Sequence, residues 1–146
     1  MRAIFCADPL SPRVPDAAYQ EEADAAGAAG FGVDLISFER LVHEGDATAA
    51  VRRVVPARSP ELAVYRGWML RAEQYTALYD ALLRLDIHLI NTPGAYRICH
   101  ELPSSYPLIA GHTPATVHVS LPDCLDLDAV MAALGPFDDR PLMTDS

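Results

Sequence analysis

Polar and aromatic residues with the chemistry to hold a small molecule stand where strand-like apolar runs end. These residues are Asp8, Glu39, Arg66, Trp68 and Asn91. The guanidinium of Arg66 is a planar donor fork that suits a carboxylate or phosphate, and the Trp68 indole offers a flat stacking face. Gly67, between them, lets a ligand or another backbone approach closely. The pattern predicts a binding crevice at one edge of a sheet.

Arg66 and Trp68 also have a purely structural interpretation. Arg66 would pair with Asp8 or Glu39 and so hold two strand ends together, and Trp68 would pack on the helix that contains Tyr75. Sequence position does not decide between the binding and the structural interpretation.

A second cluster surrounds His100. Tyr96 and His100 are four residues apart and share one face of a helix, where they could border the crevice. Cys99 and His100 resemble a nucleophile and its base, but adjacent helical residues point about 100° apart and do not face each other. No Ser or Cys stands in a strand–turn–helix elbow, which disfavours a small independent hydrolase. His100, His112 and His118 lack the spacing of metal ligands, so no metal site is predicted.

Alternating strand and helix signals must position these residues. Strands are predicted over 2–7, 32–38, 62–68, 87–91 and 116–121. Helices are predicted from Asp16 to about 26, after Asp46, over 75–83, from Pro93 to about 101, and last through Leu127, Val130, Met131 and Leu134. Such alternation predicts a Rossmann-like α/β domain over 1–142, with three layers, a parallel sheet of four to five strands and helices on both faces. Ligands of such sheets bind outside the carboxyl ends of the strands.

The clearest helical period is an apolar stripe at positions i, i+3, i+4, i+7 and i+8, formed by Tyr75, Leu78, Tyr79, Leu82 and Leu83. Thr92 followed by Pro93 predicts a helix start, because a hydroxyl cap precedes a proline at the first helical position. Pro103 is expected to end that helix.

Composition excludes several classes of partner. The net charge of −9 repels nucleic acids and anionic lipids, and no apolar run approaches the roughly 18 residues of a membrane span. All eleven basic residues are arginines, and prolines 9, 12 and 15 follow the first strand where a dinucleotide site needs a glycine turn. Three widely spaced cysteines indicate reduced thiols. A cytoplasmic protein without a signal peptide is predicted.

Several ordered motifs resemble the N-terminal, pre-ATP-grasp domain of bacterial ATP-grasp proteins. The motifs are 65–70 (YRGWML), 89–93 (LINTP) with Tyr96, 100–103 (HELP) with Tyr106 and Pro107, and Thr113 with Pro114. The similarity extends from the first strand to Leu142. It implies a Rossmann-like unit that shapes the acceptor-substrate site, followed by a domain that binds ATP and magnesium. The family's usual reaction activates a carboxylate as an acylphosphate, which an amine then attacks.

The resemblance implies the substrate-side domain of a carboxylate–amine ligase. Its candidate substrate-binding residues are Arg66, Trp68, Asn91, Tyr96 and His100, and Asp8 lies at the same predicted edge. The family's ATP-contacting lysine would follow Leu142, whereas residues 143–146 contain none. No cofactor is therefore expected in this chain, and ATP and magnesium are implied only for a missing or partner ATP-grasp domain.

Two further interpretations of the chain's function are compatible with the sequence. One is a stand-alone, non-catalytic module that binds a small molecule or a protein. The other is a structural domain that forms a homodimer through an exposed sheet edge near its C-terminus. The partners expected from the resemblance are a small-molecule or peptide substrate bearing a carboxylate or amine, and an ATP-grasp partner chain.

Overall fold

The computed structural model describes residues 1–114, 116, 118 and 126–134. The chain divides into two compact units, 1–97 and 98–146. The strands are β1 Arg2–Cys6, β2 Gly32–Ile36, β3 Glu61–Arg66 and β4 Ile87–Leu89. The helices are α1 Gln20–Ala28, which a 3-10 turn at Ala17–Tyr19 precedes, α2 Phe38–Val42, α3 Ala47–Ala50, α4 Ala72–Leu83, α5 Pro93–His100, α6 Leu102–Ile109 and α7 Leu127–Leu134.

The first unit is built on a four-stranded, all-parallel sheet in the order β2-β1-β3-β4. The central strand β1 places Ile4 beside Asp34 on one side and beside Tyr65 on the other. Parallel neighbours need crossover connections, which the helices between the strands provide. The predicted Rossmann-like α/β class is confirmed.

The core lies on both faces of the sheet because side chains alternate along each strand. On one face, Ile4, Ile36 and Ile87 pack in the cluster that contains Leu78 and Leu82 of α4. On the other face, the smaller cluster consists of Ala3, Phe5, Tyr19 and Ala23, the last two from the 3-10 turn and α1. The predicted stripe on α4 is therefore largely buried, with Leu83 exposed at its margin.

Ion pairs join three strands at the amino edge of the sheet. Arg2 donates from Nε to Glu61 (2.7 Å) and from Nη1 to Asp34 (2.8 Å), and the Met1 ammonium lies 3.2 Å from Glu61. Hydrogen bonds from Arg2 and the N-terminus hold the pKa of Glu61 below its usual value. This edge is therefore closed by charge pairing, opposite the edge where the sequence places the site.

Element ends differ from the predictions where turns intervene. β3 ends at Arg66 and β4 at Leu89, each two residues earlier than expected. The short helix α2 was not predicted, and it begins after Ser37, whose hydroxyl accepts from the Arg40 amide. The helix after Asp46 was predicted, and the Asp46 carboxylate caps it at the Ala49 amide (2.8 Å).

The second unit contains α6 and α7. The predicted stop before Pro103 is confirmed, because α5 ends at His100. Pro103 itself lies in the first turn of the next helix, α6, where the missing N–H costs no hydrogen bond. The last predicted helix is confirmed as α7. The strand predicted over 116–121 falls almost entirely outside the described residues. Among the described helices, none has the length and apolar character that crossing a membrane requires.

Candidate functional site

The candidate residues of the first unit follow the carboxyl ends of parallel strands, so they lie along one edge of the sheet. They separate onto two faces. Arg66 pairs in register with Phe5, and both project toward α1. Glu39 belongs to α2 on the opposite face, where Leu41 of the same helix joins the larger core cluster.

Arg66 is held by Glu22 of α1 in a two-pronged ion pair. Its Nε lies 2.5 Å from one carboxylate oxygen and its Nη2 lies 2.8 Å from the other. The guanidinium also stands 5.6 Å from the centre of the Tyr19 ring. The predicted pairing with Asp8 or Glu39 is therefore wrong. The side chains of Arg66 and Glu22 are 55% and 45% exposed, so water competes for the pair.

Trp68 rests against the 3-10 turn before α1. Its indole Nε1 donates to Asp16 (3.1 Å), and its ring meets Tyr19 edge-on at 5.4 Å. The alternative in which Trp68 packs on the helix of Tyr75 is wrong. Despite these contacts, the Trp68 residue remains 44% exposed.

Gly67 makes room for two side chains of its own domain. A Cβ added at Gly67 would lie 2.6 Å from the Cys6 sulfur and 2.7 Å from the Tyr65 hydroxyl. That hydroxyl donates to the Trp68 carbonyl (2.7 Å) and lies 3.5 Å from the same sulfur. Burial raises the pKa of both Cys6 and Tyr65. Cys6 is thus a protonated packing group and not a nucleophile.

Asp8 shapes the loop that follows β1. One of its carboxylate oxygens accepts from the amides of Leu10 (2.9 Å) and Ser11 (2.6 Å). Nucleotide phosphates need free amides at this position, and these amides already have an acceptor. The loop therefore does not fit a nucleotide phosphate.

Asn91 and Tyr96 both contact the helix–loop region around α4. The exposed Asn91 accepts, through its backbone carbonyl, from the Tyr75 hydroxyl (2.8 Å). Tyr96 is 7% exposed and stacks on Tyr75 at 3.8 Å, and its hydroxyl bonds both the amide and the carbonyl of Leu70. Burial and the neighbouring Tyr96 raise the pKa of Tyr75 to about 12. Both tyrosines are firmly packed.

His100 belongs to the second unit. It is the last residue of α5 and is exposed. Its prediction as a substrate residue remains a prediction.

A cleft of about 290 Å³ opens beyond the ends of β1 and β2. We call it the carboxyl-edge cleft. Three segments line it: the loop after β1 (Ala7, Pro9, Pro12), the end of β2 (Leu35, Ile36, Ser37), and the α2–α3 region (Glu39, Arg40, Glu44, Ala49, Ala50, Arg52, Arg53). Of these residues, Glu39 alone is a candidate predicted from the sequence.

The carboxyl-edge cleft contains three arginines and two glutamates, a local excess of positive charge in a chain of net charge −9. Arg40 pairs with Glu44 (2.9 Å), and Arg53 donates to the Pro12 carbonyl (2.8 Å). The Ser37 hydroxyl donates to Glu39 (3.2 Å). The adjacent pair at 52 and 53 was the sequence signal that could have revealed this cleft.

Arg52 differs from the other two arginines of the cleft. Within the part of the chain that the structure describes, its guanidinium forms neither an ion pair nor a hydrogen bond. Its donor fork is therefore available to an anion.

No group of three histidine, cysteine, aspartate or glutamate side chains with the geometry to hold a metal ion occurs among the described residues. The resemblance implies magnesium only for a missing or partner ATP-grasp domain.

Comparison with protein-family models, with curated proteins and with solved structures found no match to this chain.

Proposed function

We propose that this chain is the substrate-side domain of an ATP-grasp carboxylate–amine ligase, and that the carboxyl-edge cleft binds the carboxylate of the substrate. The observation that supports this most is the convergence of Arg40, Arg52 and Arg53 on a cleft outside the carboxyl ends of parallel strands. The motif resemblance, from the first strand to Leu142, supports the same class.

Each charged group of the cleft has a part in this proposal. Arg52, whose guanidinium has no ion-pair or hydrogen-bond partner among the described residues, forms the two-pronged contact with the substrate carboxylate. Arg53 is oriented by its bond to the Pro12 carbonyl and adds a second positive charge. Glu39 and Glu44 accept from a substrate ammonium group. The cleft thus suits an amino acid or short peptide, which bears both charges.

The chain takes the substrate role and not the nucleotide role in this proposal. The loop after β1 does not fit phosphate, because Asp8 already engages its amides. ATP and magnesium are bound by a separate ATP-grasp domain. The residues of this chain bind the substrate and orient it.

Calorimetric titration with amino acids and dipeptides tests the cleft. We expect a zwitterionic ligand to bind, and at 100 times its Kd to raise the free energy of unfolding by about 2.7 kcal/mol. Arg52→Gln should weaken binding at least tenfold. Arg58→Gln removes the same charge from an exposed position outside the cleft and should leave binding unchanged. Equal affinity of both variants, or equal binding of amines without a carboxylate, would contradict the cleft assignment.

A mixing experiment tests the ligase assignment. An ATP-grasp protein is incubated with ATP, magnesium and the ligand found above, with and without this chain. ADP release that requires this chain supports the assignment. Ligand binding without any chain-dependent ADP release contradicts it and favours the second candidate.

The second candidate is a stand-alone, non-catalytic binding module. One observation favours it: two residues that the resemblance assigns to substrate have internal partners. Arg66 is bound to Glu22, and the Tyr96 hydroxyl is bound to Leu70. In such a module the carboxyl-edge cleft alone would bind the ligand.

A further inference from the structure

A second cavity, of about 300 Å³, lies between the turn after α3 and the C-terminal end of α4. We call it the apolar groove. Its apolar lining is formed by Val51, Val54, Pro56, Ala81 and Leu85. The Ala57 amide donates to the Leu85 carbonyl (2.9 Å), which fastens the loop after α3 to the end of α4. The groove is therefore built on packed and hydrogen-bonded elements.

Two arginines from different elements border the apolar groove. Arg52 follows α3, and Arg84 is the C-cap residue of α4. No acidic side chain is among the residues that line the groove. Asp80 stands one turn before Arg84, yet no ion pair joins the two side chains. Two guanidinium groups without partners in the described residues thus stand beside an apolar surface.

We propose that the apolar groove is a second binding site, for a medium-chain monocarboxylate. The aliphatic chain lies against Pro56 and Leu85, above the buried Val51 and Val54 that form the floor of the groove, and the carboxylate lies between Arg52 and Arg84. Charge complementarity selects an anionic headgroup, and the lining selects a hydrocarbon body. The volume stands at the lower limit of the roughly 300–1,000 Å³ typical of small-molecule sites, so the ligand is small.

The apolar groove is distinct from the carboxyl-edge cleft, although Arg52 lines both cavities. Arg84 lines the groove and not the cleft, whereas Arg53 lines the cleft and not the groove. The inference does not depend on the ligase assignment. Because Arg84 lines only the groove, an Arg84 variant tests the groove without altering the cleft, so failure of this inference can be told apart from failure of the proposed function.

Calorimetric titration of the full chain with hexanoate, octanoate and decanoate tests the groove. Each added methylene that enters the groove should tighten binding about fourfold. Octanol and octylamine, which have the same chain without the negative charge, should bind at least tenfold more weakly than octanoate. The Arg84→Gln variant should weaken octanoate binding at least tenfold and leave amino-acid binding in the cleft unchanged. Arg58→Gln is the matched control for loss of one exposed positive charge.

Four results would overturn the inference. The first is equal binding of octanol and octanoate, which would show that the arginines do not bind the carboxylate headgroup. The second is unchanged octanoate binding in Arg84→Gln, which would mean that Arg84 only stabilises the C-terminus of α4 through its positive charge. The third is an affinity independent of chain length. A peptide with a hydrophobic C-terminal residue that binds in competition with octanoate, and more tightly, would also replace the fatty acid as the occupant.

Discussion

Replacing Gly67 by alanine tests how tightly the carboxyl edge of the sheet is packed. The new methyl group would stand 2.6 Å from the sulfur of Cys6, 2.7 Å from the Tyr65 hydroxyl oxygen and 2.8 Å from its ring carbon Cζ. Cys6 is fully buried, and the Tyr65 hydroxyl is fixed by its bond to the Trp68 carbonyl. Neither side chain can retreat without disturbing its neighbours, so the backbone or the Tyr65 ring must shift.

The expected loss combines two effects. Overpacking by one methyl group in a filled core costs about 1–3 kcal/mol. Displacing the Tyr65 hydroxyl from the Trp68 carbonyl removes a hydrogen bond worth about 0.5–1.5 kcal/mol. We therefore expect Gly67→Ala to lower the free energy of unfolding by about 3 kcal/mol, which for a chain of this size corresponds to a fall in Tm of about 9 °C.

Urea unfolding followed by circular dichroism measures this loss. Gly94→Ala is the matched control, because no heavy atom lies within 4 Å of a Cβ added there in α5, and it should be neutral or slightly stabilising. Adding Cys6→Ala to Gly67→Ala removes the nearest contact and should restore part of the stability. A Gly67→Ala protein within about 0.5 kcal/mol of the original chain would refute the packing argument.

Three further predictions concern charge and thiol chemistry. The pKa of Glu61 is lowered in the folded protein, so its ionised carboxylate stabilises the fold above the unfolded pKa of about 4.3, and this stabilisation is lost as the pH falls through the folded pKa. Between pH 7 and 3 the urea midpoint should therefore fall more in the original chain than in Glu61→Gln. Parallel curves of urea midpoint against pH would contradict this. Cys99 is exposed, whereas Cys6 is buried and has a raised pKa. Iodoacetamide at pH 7 should therefore label Cys99 roughly a hundred times faster than Cys6, as measured by peptide mass mapping. Equal labelling rates would refute the burial of Cys6. Glu22→Gln should lower stability by less than about 1 kcal/mol, because the pair is half-exposed, and should tighten the binding of carboxylates that use Arg66. Calorimetry of both proteins checks this, and an unchanged affinity would leave Arg66 a structural role alone.

The fold class was predictable because its signals are local. The stripe on α4 and the alternation of apolar runs with helical periods depend on residues within a few turns of each other. Helix caps are local as well, since the Asp46 side chain bonds the amide only three residues further along the chain. The stop before Pro103 was predicted as well, because proline disfavours a continuing helix, but the same residue also suits the first turn of a new helix, and α6 was missed.

The candidate site was less predictable because its contacts span long stretches of the chain. Arg66 and Glu22 are separated by 44 residues, and no spacing rule connects a strand end to the outer face of a preceding helix. The carboxyl-edge cleft combines three segments, and its positive charge comes from residues after α3 that no recognised motif includes. The order of the strands, which brings these segments together, becomes visible only in three dimensions.

The position of Trp68 makes the carboxyl edge optically distinct. It is the one tryptophan of the chain, so fluorescence excited beyond the tyrosine band comes from this indole alone. The ring is partly open to water, hydrogen-bonded to Asp16 and in edge contact with Tyr19, so a molecule that stacks on it would change both the colour and the intensity of its emission. The protein thus contains its own unlabelled reporter for events at the end of β3, and quenching by iodide or acrylamide can follow the opening and covering of that edge in real time.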